Sequence, residues 1–324
     1  MNPARALPTY AELIADATAR LAAAGIDTAR LDAEVLLGFA LEVSRSAVYA
    51  RLPELAAPEI AMRLSGLVDR RTRREPIAYI TGVQEFWSLP FAVTPTVLIP
   101  RPETELLVEI VRAVAHGWRA ALPRGRSAAQ QRSSALHEGL SAPPVRYGRA
   151  EARPSSGAGM SICDVGTGSG CIAIALACEL PEAQIVAVDV STDALAVAQR
   201  NAAMHGVDGR ITFVQSDVFD GLRPALLDVI VSNPPYLSPG ERECPEIAFE
   251  PQTALEAGPD GLAVIRRIVA AAPGRLRPGG WLVMEIGAHQ AEAVRAVAEQ
   301  HGLVSVAIEQ DLAGLPRALV AQVA

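Results

Sequence analysis

The chain predicts an α/β protein: a mostly parallel sheet covered by helices on both faces, preceded by a small all-helical region. Three observations carry this. From residue 161 onward, short apolar runs suited to strands alternate with longer runs of helical period. Over residues 1 to about 75, apolar residues instead recur every three or four positions. Half of the 324 residues are hydrophobic, enough to bury cores in about two domains.

In the first region (1–75), Tyr10, Leu13, Ile14, Ala17, Leu21 and Ala24 define a helix that Gly25 stops. Asp27 or Thr28 is placed to cap a second helix carrying Leu31, Ala33, Val35, Leu36 and Leu37, and a third is expected over 58–73. Acidic and basic residues balance here at ten each; the tightest basic group, Arg70, Arg71, Arg73 and Arg74, reads as a solvated helix end or a partner contact. A connector (76–117) follows. Its strand-type residues Ile77, Tyr79, Ile80, Phe86, Trp87, Leu89, Phe91, Val93 and Leu98, broken by Gly82 and Pro90, suggest a β-hairpin over 76–100. A helix then runs from about Pro102 to His116, with proline at its first position and Glu103 and Glu105 in its first turn. Residues 118–160 have little periodicity and seven arginines against two glutamates, the composition of a disordered insertion. In the last region (161–324), strands are expected at 161–165, 184–189, 211–215, 228–232, 281–286, 303–309 and 317–323. Helices are expected at 170–179, 192–205, 259–274 and 288–300.

Composition removes several chemistries. All 29 basic residues are arginine, so a P-loop, a pyridoxal Schiff base, a lysine aldolase and a Ser–Lys hydrolase all lack their amine. A net charge of −7 argues against a stable nucleic-acid partner held by phosphate contacts. Four cysteines without a C-x-x-C pair, three of them in apolar runs, read as reduced core thiols of a cytoplasmic protein, and five scattered histidines form no metal motif. No apolar run is long enough for a membrane helix.

Four motifs fall at expected strand ends. Gly166-Thr167-Gly168-Ser169-Gly170 follows the first strand of the last region; its glycines permit a sharp turn and close approach of a ligand. Cys171 stands where the dinucleotide fingerprint wants glycine or alanine, and Thr167 breaks the nucleophile elbow. The remaining G-x-G-x-G spacing is common at S-adenosylmethionine sites. Asp189 ends the second strand, where a carboxylate accepts ribose hydroxyls; Ser191 is available to cap the next helix in its place. Ser216-Asp217 ends the third, an acceptor for an adenine amino group or a surface acid, with Val218 beside it to pack on the base. Asn233-Pro234-Pro235-Tyr236 ends the fourth. Proline stops the strand and biases Asn233 to extended geometry. The Asn233 side-chain oxygen and the Pro234 carbonyl then form two acceptors for a planar –NH₂ group, with the Tyr236 ring as a stacking face. Two such acceptors orient a poorly nucleophilic nitrogen for methylation without a strong base.

With these motifs in place the chain resembles the release factor glutamine methyltransferases, the PrmC/HemK family. The likeness rests on Pro76–Gly82, Glu85–Trp87, Ile99–Glu105, the glycine turn, Asn233–Tyr236, Phe249–Pro251 and Asp311–Gly314, and spans the chain except 118–160. It implies a Rossmann-like class I S-adenosylmethionine-dependent methyltransferase sheet with an N-terminal helical docking domain and a connecting β-hairpin. It implies methyl transfer to the side-chain amide nitrogen of the glutamine in the Gly-Gly-Gln motif of peptide-chain release factors. By the family pattern Gly166 to Gly170, Asp189, Val218 and Asn233 contact the cofactor, while Asn233 to Tyr236 hold the glutamine. Two features depart from that pattern: valine at 218, where the family often has tryptophan, and the 118–160 insertion. The rival readings are an adenine N6 methyltransferase acting on DNA or RNA and a non-catalytic S-adenosylmethionine-binding protein.

Overall fold

The computed structural model describes residues 7–117, 159–223, 225–241 and 244–324. The expected insertion lies almost wholly outside the described residues. The chain forms two compact units: 1–84 with 93–95 and 242–250, and 85–92 with 96–241 and 251–324.

The first unit contains helices α1 (Tyr10–Ala23), α2 (Ala29–Leu41), α3 (Arg45–Arg51), α4 (Pro58–Thr72) and the short α5 (Ile77–Thr81). Thr9 and Glu12 form a reciprocal capping box at the start of α1, and Ser44 caps α3 by accepting from the Ala47 N–H. Ile14, Leu21, Leu36, Leu37, Val48, Val68 and Ile80 make the core. α3 is invisible in the sequence pattern, because its seven residues show too few turns for a period. The segment 77–81, whose composition predicts strand, is a helical turn. The Pro76 carbonyl accepts from both Tyr79 N and Ile80 N at 3.0 Å, and Gly82 at φ 76° ends the turn. β-Branched and aromatic composition does not decide so short a segment once tertiary burial enters. The arginine cluster is also not a free patch. Arg71 donates to Asp32 at 2.7 Å and to Glu246 at 3.0 Å, Arg70 donates to Glu75 at 2.9 Å, and Arg74 donates to the Gly25 carbonyl at 2.7 Å.

The hairpin is shorter than expected: β1 (Val83–Phe86) and β2 (Leu89–Ala92) are joined by Trp87 and Ser88, both at positive φ, the backbone of a two-residue hairpin turn. In the second unit a 3-10 turn at Pro102–Thr104 leads into α6 (Glu105–Ala115). Then come β3 (Ser161–Val165), α7 (Cys171–Glu179), β4 (Gln184–Asp189), α8 (Thr192–Met204), β5 (Ile211–Gln215), β6 (Leu227–Ser232), α9 (Ala263–Arg275), β7 (Leu276–Glu285), α10 (Ala291–Gln300), β8 (Leu303–Gln310) and β9 (Pro316–Val323). The sheet order is β5-β4-β3-β6-β7-β9-β8, parallel except that β9 runs against both β7 and β8.

Alternation along the central strands assigns side chains to two cores. Val229 and Val231 of β6 and Val283 of β7 join Phe86, Phe91, Leu107, Val111, Ile174 and Leu176 on one face. Ile230, Leu282 and Met284 join Ile265, Ile268 and Val269 on the other. α7 is buried on every side from Cys171 to Ala177, which explains its uniformly apolar sequence. Cys163 and Cys171 are buried as expected, whereas Cys178 and Cys244 are exposed. No helix among the described residues is long and apolar enough to cross a membrane.

Candidate functional site

The strand order reverses between β3 and β6, and a ligand crevice is expected at the carboxyl ends of those strands. An open cleft with about 1050 Å³ of empty space lies there. Its wall contains Gly166, Thr167, Gly168, Ser169, Asp189, Val218, Asn233, Pro234 and Pro235. Residues from four expected strand ends are thus brought together, as parallel strands require.

The glycine turn is held from beneath. Gly166 N and Thr167 N both donate to the Val188 carbonyl at 2.9 Å, and the Thr167 hydroxyl donates to Asp164 at 2.7 Å. Gly168 adopts φ 56°, a conformation that disfavours a side chain, and a Cβ there would meet no atom within 4 Å. The turn therefore presents bare backbone to open space, a cradle fit for a ligand. Gly170 is not part of the wall; it is the N-cap of α7, at φ 83°. Asn201, fully buried, ties the turn to β2: its Nδ2 donates to the Ser169 carbonyl at 2.8 Å and its Oδ1 accepts from Ala92 N at 2.8 Å.

Asp189 accepts from Gly168 N and Ser191 N, each at 2.9 Å, one on each carboxylate oxygen. Ser191, not Asp189, caps α8, so the carboxylate is left to the cleft. Burial raises its pKa from the usual aspartate value, and the backbone donors work against that rise. Val218 is buried at φ 55°, a strained backbone for a β-branched residue; Ser216 Oγ stabilises the loop by donating to the Val218 carbonyl at 3.1 Å and accepting from Gly221 N at 2.9 Å. Asp217 pairs with Arg267 at 2.8 Å.

Asn233 follows the fully buried β6, whose end is tied to β3 by the Ser232 hydroxyl donating to the Val165 carbonyl at 2.6 Å. Asn233 Nδ2 donates to Thr104 Oγ1 at 3.0 Å. Tyr236 is half-buried beside the core and outside the cleft wall; its hydroxyl donates to Glu285 at 3.2 Å. Burial and the Glu285 charge push its phenol up, so it stays neutral. Its carbonyl accepts from Gln290 Nε2 at 2.9 Å. Thr104 belongs to the Ile99–Glu105 segment, which reads from sequence as a helix start or as a lid edge over the methyl donor, whereas Glu285 and Gln290 belong to no motif. Glu285 left one usable signal, a lone carboxylate in the apolar run Trp281–Ile286. Among the described residues no group of three or more His, Cys, Asp or Glu side chains is arranged to hold a metal ion.

Comparison with known proteins supplies the family. Residues 12–82 match the PrmC N-terminal domain and residues 152–248 match the methyltransferase small domain. The release factor glutamine methyltransferase of Geobacter sulfurreducens is 40% identical over 300 residues, covering 92% of this chain and 90% of that protein. That of Moorella thermoacetica is 40% identical over 318 residues, covering 97% and 98%. Among solved structures, the hMettl16 catalytic domain in complex with the MAT2A 3′UTR hairpin 6 aligns with a TM-score of 0.51 at 17% identity, over 79% of this chain and 82% of that one, a likeness of fold alone. The observed sheet is that of a class I S-adenosylmethionine-dependent methyltransferase. With near-complete coverage at 40% identity on both sides, and with the sheet built as its sequence motifs require, the chain belongs to the release factor glutamine methyltransferase family.

Proposed function

We propose that this cleft transfers the methyl group of S-adenosylmethionine to the side-chain amide nitrogen of a glutamine, the one in the Gly-Gly-Gln motif of a peptide-chain release factor. The observation that carries the reading is Asn233-Pro234 standing in the same cleft wall as the glycine turn and Asp189. In this reading Gly166, Thr167, Gly168, Ser169, Asp189 and Val218 hold the cofactor, with Gly170 shaping the turn. Asn233, Pro234 and Pro235 hold the glutamine, while Tyr236, expected from sequence to share that role, anchors the edge from behind through its hydroxyl on Glu285. The bound cofactor would supply a sulfonium-activated methyl carbon whose bond to sulfur breaks as the bond to nitrogen forms, leaving a neutral thioether, and the nitrogen then gives up one of its two hydrogens as a proton to solvent.

The chain's own residues supply orientation and charge stabilisation. An amide nitrogen is a weak nucleophile because its lone pair is delocalised. Accepting both its hydrogens, on Asn233 Oδ1 and the Pro234 carbonyl, fixes its plane and stabilises the positive charge that develops as the nitrogen becomes tetrahedral. Tyr236, kept neutral, supplies no base. The N-terminal helical unit serves as the docking module for the factor. Its arginines are largely spent on internal carboxylates, which favours a protein partner over a phosphate backbone.

Incubation with labelled S-adenosylmethionine and, separately, a release factor, duplex DNA, RNA and no acceptor tests the reading. Label is expected on the factor and is lost when its Gly-Gly-Gln glutamine is changed to alanine. Label on nucleic acid alone would establish the adenine reading instead, and label on nothing would leave a binding protein.

A further inference from the structure

The end of the Asn233 amide that the proposed chemistry does not use is part of a buried relay. Asn233 Nδ2 donates to Thr104 Oγ1 at 3.0 Å; the same hydroxyl donates to Glu285 Oε2 at 2.7 Å; Glu285 Oε1 accepts from the Tyr236 hydroxyl at 3.2 Å. Thr104 is 2% exposed and Glu285 1%. A hydroxyl has a single hydrogen, and an ionised carboxylate has none. With the Thr104 hydrogen spent on Glu285, Oγ1 offers only lone pairs, so the Asn233 atom facing it must be the nitrogen. The amide oxygen is thereby turned to the other side. The polarity of the relay is dictated from the Glu285 end.

Resting on the reading above, we infer that Thr104, aligned by Glu285, is a positioning residue that locks the Asn233 amide oxygen toward the acceptor and so selects a carboxamide over a carboxylate. The physical reason is direct. A glutamine –NH₂ meets two acceptors, Asn233 Oδ1 and the Pro234 carbonyl, whereas a glutamate in its place meets the same two oxygens with no hydrogen between them and is repelled. An unlocked Asn233 would rotate its –NH₂ toward the substrate and accommodate the carboxylate.

The lock is also sensitive to pH. Glu285 is faced by Arg317 of β9, which is itself paired with Asp311 at 3.0 Å, and by Glu103, Tyr236 and Cys171. Burial outweighs its hydrogen-bond donors and raises Glu285 to about 7. Below that pH the neutral carboxyl donates a hydrogen bond to Thr104 Oγ1, whose own hydrogen is then free for Asn233 Oδ1 once the amide turns, reversing the relay.

The test uses the full chain with an intact release factor and with the same factor carrying glutamate in place of the methylated glutamine. Thr104→Val, which keeps the shape and removes the hydroxyl, is expected to lower kcat by about 30-fold while KM for the factor and the Kd for S-adenosylmethionine change by less than about threefold. The preference for binding the glutamine factor over the glutamate factor is expected to shrink by about fivefold or more. Thr104→Ser, which restores the hydroxyl, brings both back toward wild type. Wild-type kcat rises with pH through about 7, and Glu285→Gln removes that rise. A Thr104→Val enzyme with unchanged kcat, or one with lowered kcat, unchanged preference and no rescue by serine, would overturn the positioning role. A wild-type enzyme that leaves the glutamine unmethylated would instead overturn the functional reading on which it rests.

Discussion

Gln290 donates from Nε2 to the Tyr236 carbonyl at 2.9 Å, and Gly261 lies so close to the same carbonyl that an added Cβ would clash with it. The opposite end of the Gln290 amide accepts from Gly287 N at 2.9 Å, so this side chain anchors the proline edge to the loop before α10. Gly261 itself adopts φ 68°, which only glycine holds at little cost.

Gly261→Ala therefore forces either the Tyr236 backbone or the α9 entry to move. The expected loss is about 2 kcal/mol or more of stability, with a larger fall in kcat than in S-adenosylmethionine affinity. Thermal denaturation and calorimetric titration of the cofactor measure the two separately.

Asn233→Ala removes one of the two acceptors proposed for the substrate amide. Turnover is expected to fall by about 10²- to 10³-fold, with a much smaller loss of cofactor affinity. Single-turnover transfer to the release factor, set beside cofactor titration, reads both; unchanged turnover would refute the role.

Asp164 is fully buried beneath the glycine turn, and burial raises it to about 7 against an ordinary value near 3.8. The folded state thus holds this proton more tightly than the unfolded chain. Between about pH 4 and pH 7 each increase in pH costs stability at this residue, and above 7 the cost is constant. Asp164→Asn keeps an acceptor for the Thr167 hydroxyl and abolishes the titration. Its stability relative to wild type should rise across that window by on the order of 3 kcal/mol, read from denaturant melts at several pH values. A parallel pair of pH curves would contradict this.

Arg71, 7% exposed, bridges Asp32 at 2.7 Å and Glu246 at 3.0 Å. Arg71→Leu leaves the buried Asp32 carboxylate uncompensated and is expected to cost about 3–5 kcal/mol. Adding Asp32→Leu should recover much of that loss, because the orphaned charge is then gone. Chemical denaturation of the two variants decides it; a double variant as unstable as the single would show that the charge was not the cause.

The strand–helix alternation, the helical first region and the placement of the glycine turn, Asp189 and Asn233–Tyr236 at strand ends are all legible in the amino-acid pattern. These are local matters. Hydrophobic period, proline's fixed φ and glycine's freedom act over a few residues, and parallel strands then bring their carboxyl ends to one edge. The relay behind that edge comes from long-range packing instead. Thr104 lies 129 residues before Asn233 and 181 before Glu285, separations at which no periodicity carries information. The same holds for the helical turn at Ile77–Thr81, set by packing where composition favours strand, and for Arg71, whose partner Glu246 is 175 residues away. A hydroxyl, an amide or a guanidinium takes its meaning from which donor or acceptor the fold places against it, and burial then makes that pairing obligatory.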